Sequence, residues 1–416
     1  MSEGADVDPL LLGQAIRRLQ DREPARLVDD AADLVRETLG GFELVLYLLD
    51  YRLASLRPLS AHGATRRSLL VPCPVGAGSA GLAYREQRDV LEAVPAGSLV
   101  DVPLTLHGQR FGVLCVTYQR PPGEGGMRAL RSVALALSHL LVEAGHVTDA
   151  FEVARRHGRL SVAAELQWQL LPARAYSCDA FTLAGHLEPA LRVSGDAFDF
   201  SATAGALTVV VADAAGHGQQ AALASTLAVT ALRNARRAGL ALAEQASLAD
   251  QAVFEEYGGR CHVSTLLIEL DVASGAGQVV DAGSPLLLRQ RHGRVQAVEF
   301  EAQLPLGLLE GSIYSPQPLA VEPGDRLLVL TEGALRAPNH PPGAARSLVD
   351  SLLAGGQDLS PGEIVRRVVA GLLGWTDSHP TTNVEADLEI EIEIEEDATV
   401  MCVDWHGGGR DPRRGP

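Results

Sequence analysis

Apolar residues recur at three- and four-residue spacing over Leu10–Leu19 and Ala25–Thr38, which predicts two amphipathic helices. The period then shortens. Phe42–Leu49 and Ser68–Val75 are largely apolar runs that read as strands. Leu99–Leu106 and Phe111–Tyr118 flank a His107-Gly108-Gln109 turn and predict a hairpin. A Pro/Gly-rich loop from Pro121 to Gly126 leads into a helix over Met127–Ala144. Together these elements predict a small α+β domain over 10–146 with the layout of a sensor domain.

From Val147 to Leu171 the residues Val147, Phe151, Ala154, Leu160, Ala163, Leu166 and Leu170 form an apolar stripe, ended by Pro172. The spacing predicts one continuous helix that joins two folds across 147–172. Such a stripe suits a signalling helix that pairs between protomers, and the expected assembly is a homodimer.

Strand patterns dominate from Phe181 onward, at Leu183–Leu187, Leu207–Val211, His262–Leu270, Gly277–Ala282, Leu286–Arg291, Arg326–Leu330 and Ala398–Trp405. A helical stretch over Ala221–Tyr257, broken near Gly239, and a helix over Pro361–Leu373 interrupt them. Strand runs around helical pairs predict a sheet sandwich flanked by helices over 173–407. Glu385–Asp397 alternates isoleucine or leucine with glutamate, which reads as an edge strand with one acidic face. The tail over 408–416 is rich in Gly, Arg and Pro and reads as disordered.

Composition narrows the function. The chain has 416 residues, of which 46% are hydrophobic, and a formal net charge of −17. Such a balance argues against nucleic acid as the main partner. No run of about eighteen apolar residues occurs, so no membrane span is expected. The acidic start, Met1 to Pro9, lacks the apolar core of a signal peptide. The cysteines at 73, 115, 178, 261 and 402 are scattered and form no C-x-x-C pair. That pattern fits a reducing cytoplasm with neither disulfide framework nor zinc site.

The most specific stretch is Ala212-Asp213-Ala214-Ala215-Gly216-His217-Gly218. It puts a carboxylate at the end of a buried strand, before a flexible loop and an alanine-rich helix. Upstream, Ser194-Gly195-Asp196-Ala197-Phe198-Asp199 presents a second acid beside small residues. Carboxylates at strand ends suit a hard divalent cation. Glu332 before Gly333, and Glu396 with Asp397 before the last strand, add further acids.

In order, these motifs resemble the metal-dependent protein serine/threonine phosphatases, the PPM family of the protein phosphatase 2C superfamily, in their bacterial SpoIIE/RsbU-like branch. Leu166-Gln-Trp-Gln-Leu-Leu-Pro172, Ser194-Gly-Asp-Ala-Phe-Asp199 and Asp213-Ala-Ala-Gly-His-Gly218 open the series. Ala282-Gly283, Pro305-Leu-Gly307, Pro323-Gly-Asp325, Thr331-Glu-Gly333 and Glu396-Asp-Ala-Thr399 complete it. The first region resembles a GAF domain in layout, which brings with it a small-molecule ligand as an expectation. The resemblance implies an α+β protein with a GAF-like sensor domain, a linker helix and a phosphatase β-sandwich flanked by helices.

The resemblance also implies two Mn²⁺ or Mg²⁺ ions. Asp213 would bridge them, the Ala214 carbonyl would bind one, and Asp196, Glu332 and Glu396 would hold the other. Asp199, Gly216, His217 and Asp397 would surround the site without serving as ligands. The substrate implied is a phosphorylated STAS-type anti-sigma-factor antagonist. The family usually has aspartate where this chain has Glu332 and Glu396, each roughly 1.5 Å longer. The alternatives are therefore an active, Mn²⁺-preferring enzyme and a degenerate phosphoprotein-binding regulator. A rival signal, Gly76-Ala-Gly-Ser-Ala-Gly81, matches the dinucleotide-binding fingerprint, although Pro72 and Pro74 interrupt the strand before it.

Overall fold

The computed structural model describes residues 9–60, 70–156, 161–190, 193–283, 285–336, 343–374, 394 and 396–408. They fall into two compact units, the first up to Arg156 and the second from Ser161 onward. Most of the acidic strand expected over 385–397, and the tail from 409, lie outside the described residues.

The first unit is built on a six-stranded antiparallel sheet in the order β3-β2-β1-β6-β5-β4. Its strands are β1 (Glu43–Leu49), β2 (Ser55–Ser60), β3 (Cys73–Pro74), β4 (Val90–Val94), β5 (Gly97–Leu106) and β6 (Gln109–Tyr118). Helices α1 (Pro9–Gln20), α2 (Leu27–Leu39) and α4 (Glu124–Ala144) cover one face, and α3 (Gly78–Glu86) covers the other. That double cover explains the unbroken apolar run of β1. Leu44, Leu46 and Leu48 enter one core while Val45, Tyr47 and Leu49 enter the other.

The dinucleotide reading fails here. Every strand pairing described in this unit is antiparallel, so no parallel βαβ crevice exists among the described residues. The glycines of 76–81 serve the approach of α3 to the sheet instead. A Cβ at Gly81 would lie 2.4 Å from the Pro74 carbonyl oxygen.

The continuous helix expected over 147–171 also fails. α5 (Ala150–Arg155) ends at Arg156, whose backbone is extended. α6 (Val162–Leu170) starts afresh from an extended Ser161, whose Oγ accepts the Ala164 N–H at 3.1 Å. Ser161 satisfies a helix start better than it would a helix interior. Each short helix is claimed by its own unit. Phe151 joins the first core, and Arg155 Nε donates to the Leu49 carbonyl at 2.9 Å. Val147 is left 70% exposed, and the single helix on which the expected dimer rested is two helices among the described residues.

The second unit is a sandwich of two antiparallel sheets. The first sheet has the order β15-β12-β11-β10-β9, from β9 (Asp196–Ala202), β10 (Ala206–Ala214), β11 (Val263–Asp271), β12 (Ala276–Ala282) and β15 (Gln317–Ala320). The second has the order β14-β13-β16-β17-β8-β7, from β7 (Ala175–Ser177), β8 (Phe181–Glu188), β13 (Leu286–Arg291), β14 (Arg294–Ala297), β16 (Arg326–Leu330) and β17 (Ala398–Trp405). Phe198, Val209, Val211 and Ile268 meet Leu183, Leu327, Met401 and Trp405 between the sheets.

Helices α7 (Gln219–Arg237) and α8 (Leu242–Tyr257) lie on the outer face of the first sheet, and α11 (Pro361–Leu372) lies on β8 and β17. The face that α7 presents is largely alanine: Ala221, Ala224, Ala228 and Ala235. Small side chains there let the helix settle close to Ala197, Ala212 and Ala214 of the strands. Among the described residues no helix is long and apolar enough to cross a membrane.

Candidate metal centre

β9 and β10 run antiparallel with Asp196 directly opposite Asp213. Side chains alternate along a strand, so Asp196 shares a face with Phe198, and Asp213 with Val211 and Val209. Those apolar partners lie between the sheets. Both carboxylates therefore point into the end of the sandwich, away from α7 and α8.

Asp196 is buried. Its burial, and then the charges of Asp213 and Asp397, push its carboxyl well above the usual range. Thr331, just after β16, donates from Oγ1 to Asp196 Oδ2 at 2.5 Å and fixes its orientation. Partial burial, followed by the charges of Glu396, Asp397 and Glu332, pushes Asp213 up to about 6. Acids from β9, β10, the end of β16 and the start of β17 thus act on one point. Oxygen donors with unrelieved repulsion are the donor set of a hard divalent cation, so Asp196 and Asp213 fit such an ion. Ala214, the last residue of β10, lies buried beside them.

Asp397 has another task. Its Oδ1 accepts the Ala190 N–H at 2.7 Å. Its Oδ2 accepts the N–H groups of Ser194 at 2.9 Å, Gly195 at 2.8 Å and Asp196 at 3.3 Å, with Gln167 Nε2 at 2.6 Å. Gln167 Nε2 also donates to the Asp196 carbonyl at 2.9 Å. Ser194 Oγ returns a bond by accepting the Asp397 N–H at 2.6 Å. Asp397 thus folds the segment that carries Asp196 against the start of β17, and its oxygens are spent on that.

The two glutamates meet a cation of the chain itself. Glu332 opens α9 (Glu332–Leu335), and Arg336 follows one turn later. The Arg336 guanidinium pairs with Glu332 through Nη2 and with Glu396 Oε1 through Nη1, the latter at 2.7 Å. Among the described residues, no set of three or more His, Cys, Asp or Glu is gathered closely enough to hold a metal ion. The structure leaves Asp196 facing Asp213 and joins Glu332 to Glu396 through Arg336, so the ion that Asp196, Glu332 and Glu396 were expected to share does not fit while Arg336 bridges the glutamates.

Asp199 and His217 were also singled out in the sequence. Asp199 falls on the opposite face of β9 from Asp196 and is buried against α7. There it pairs with Arg233 at 2.8 Å and Arg236 at 3.0 Å. It does not join the acids at the end of the sandwich, because strand alternation turns it toward the helix. His217 is exposed in the loop before α7, between Gly216 and Gly218, which both have positive φ.

Thr331 and Gln167 were visible in the motifs without a role. Arg336 was not singled out at all, although its four-residue offset from Glu332 is the spacing of a helical ion pair.

Gly195 closes the turn into β9 with φ +93°, and a Cβ there would lie 2.8 Å from the Ala221 backbone and 2.9 Å from Ala214 Cβ. Gly195→Ala should therefore cost about 2 kcal/mol from strain and overlap combined. Urea unfolding checks this, and a midpoint equal to wild type would mean that the turn relaxes freely. Beside Glu332 a cleft of about 430 Å³ opens, floored by Leu286, Leu330, Leu335 and Phe300, with Asp281 and Glu299 also in its wall.

Residues 203–406 match the family described as Stage II sporulation protein E. Among solved structures, the chain is similar to the RsbU and RsbW domains of a Mycobacterium tuberculosis protein. The two are 23% identical, the match covers 55% of this chain and 60% of that one, and the TM-score is 0.45. It is also similar to the SiaA-PP2C domain of Pseudomonas aeruginosa, at 20% identity, 58% and 93% coverage and a TM-score of 0.45. A GAF domain from an Acinetobacter phosphotransferase matches 36% of this chain and 99% of its own length, at 19% identity and a TM-score of 0.31. The chain spans less than two thirds of the length of the Mycobacterium tuberculosis chain and of a Bacillus subtilis SpoIIE chain, 60% and 64% respectively. Through residues 203–406, this chain carries a domain that matches the SpoIIE family.

Proposed function

We propose that the second unit hydrolyses phosphoserine or phosphothreonine on a regulatory protein with the help of Mn²⁺ or Mg²⁺. The observation that carries this reading is the pairing of Asp196 and Asp213 across two strands, both pushed toward protonation by burial and then by neighbouring acids. A bound divalent cation would supply an acidified water and would neutralise charge on the phosphoryl oxygens.

Asp196 and Asp213 would hold that cation. Thr331 keeps the Asp196 carboxylate in one orientation. Gln167 and Asp397 keep the backbone of Asp196 in place, so the pair is preorganised. The cleft beside Glu332 would take an apolar side chain next to the phosphorylated residue, which favours a protein substrate over a small phosphate ester. The family resemblance supports a STAS-type anti-sigma-factor antagonist as that protein.

The bridge from Glu332 through Arg336 to Glu396 favours a second reading, a domain that binds phosphoprotein without turning it over. One assay separates the two. Purified protein should release phosphate from a phosphoserine protein and from p-nitrophenyl phosphate with Mn²⁺ present. EDTA should reduce the rate to background, and fresh Mn²⁺ should restore it. Hydrolysis that survives thorough chelation would exclude the metal-dependent reading, and binding of phosphoprotein with no hydrolysis would favour the second.

A further inference from the structure

We propose that Arg336 is a built-in cation that keeps a divalent ion off Glu332 and Glu396, so that an ion reaches them only when the guanidinium leaves. The inference rests on the metal-dependent reading above and deepens it. Arg336 meets both glutamates at once, pairing with Glu332 through Nη2 and with Glu396 through Nη1 at 2.7 Å. A guanidinium offers a planar fork of donors that matches carboxylates, and a divalent ion needs the same oxygens. The two cations therefore compete for one place.

Chain geometry explains why an arginine serves there. Glu332 and Arg336 are one helical turn apart across α9, and the arginine sits at the C-terminal end, where a cation is favoured. Glu396 arrives from the strand beside β16, because β16 and β17 pair antiparallel up to Leu330 and Val400. The extra methylene of each glutamate is accounted for in the same way. A longer arm lets both carboxylates reach a guanidinium one turn from the strand end. The bridge is accessible: the side chains of Arg336 and Glu332 are 60% and 61% exposed. Exposed ion pairs are individually weak, so a divalent ion at sufficient concentration can displace the arginine. The arrangement sets a concentration threshold for the second ion.

The test is a calorimetric Mn²⁺ titration of the full-length chain without substrate, comparing wild type with Arg336→Ala and Arg336→Lys. Bound Mn²⁺ is counted by electron paramagnetic resonance. Wild type should show a weak site at Glu332 and Glu396, second to any ion held by Asp196 and Asp213. Arg336→Ala should tighten the second by about tenfold, the combined size of two exposed ion pairs, and Arg336→Lys should fall between. Melting curves of the variants should match wild type, since Arg336 is mostly exposed. If Arg336→Ala and wild type give the same isotherm, whether for two ions, one or none, the proposal is overturned. Phosphate release by wild type reports separately on the catalytic reading. A tightened second site without hydrolysis would spare Arg336 and sink catalysis, whereas hydrolysis with an unchanged isotherm would do the reverse.

Discussion

Asp213→Asn should raise the melting temperature of the metal-free protein at pH 7 while abolishing Mn²⁺ binding and hydrolysis. The Asp213 carboxyl is pushed up to about 6 in the folded chain by partial burial and by Glu396, Asp397 and Glu332. Unfolded, it would titrate near about 3.9. Between those values the folded state holds a proton that the unfolded state has released. Metal-free stability therefore falls as pH rises through that window and stays lower above it. Asp196 and Asp397 are shifted in the same direction and add to the trend.

The shift at Asp213 corresponds to about 1–3 kcal/mol, or roughly 3–8 °C for a unit of this size. In EDTA, wild type should melt higher at pH 5 than at pH 7.5, and Asp213→Asn should flatten much of that difference. A lower melting temperature for the metal-free variant at pH 7 would show that the acids do not repel one another.

Neighbouring residues should give opposite results at the start of β17. Asp397→Ala removes a carboxylate that accepts four backbone N–H groups and the Gln167 amide. Donors left buried without an acceptor cost about 1–3 kcal/mol each, and losses in one network do not simply add. A total of about 3–5 kcal/mol is expected, enough to lower the melting temperature by roughly 10 °C and to displace Asp196. Glu396→Ala removes a side chain that is 38% exposed and paired to Arg336. It should move the melting temperature by no more than about 2 °C while changing the Mn²⁺ isotherm. Thermal melts and titrations of the two variants side by side decide this, and equal melting temperatures would show that Asp397 does not brace the loop.

Local pattern carried much of the fold. The expected strands at Leu286–Arg291, Arg326–Leu330 and Ala398–Trp405 coincide with β13, β16 and β17. Each is buried enough for its apolar run to stand out without help from neighbours. Helix α11 begins at Pro361 after a serine cap, as its sequence requires. Other elements were hidden. β9 mixes Asp196, Asp199 and Ser201 with phenylalanines, and it is a strand because β10 pairs with it. β2 contains Pro58, tolerated because, among the described residues, β3 pairs only with Ser55 and Leu56 of that edge. The stripe over 147–171 had the right period for a helix. Ser161 and the two separate cores divided it.

The site divides in the same way. The sequence by itself determined that Asp213 ends a buried strand before a glycine loop, that Asp196 follows a tight turn, and that acids recur near 332 and 396. Only the tertiary structure decided their tasks. It set Asp196 opposite Asp213, turned Asp199 toward Arg233 and Arg236, spent Asp397 on the loop, and joined Glu332 to Glu396 through Arg336. The physical reason is one of range. A strand or helix is specified by residues a few positions apart. Only the Glu332–Arg336 pair is local, four residues apart; Asp199 and Arg233 lie 34 residues apart and Gln167 and Asp397 230, and only tertiary folding brings such partners within hydrogen-bond reach.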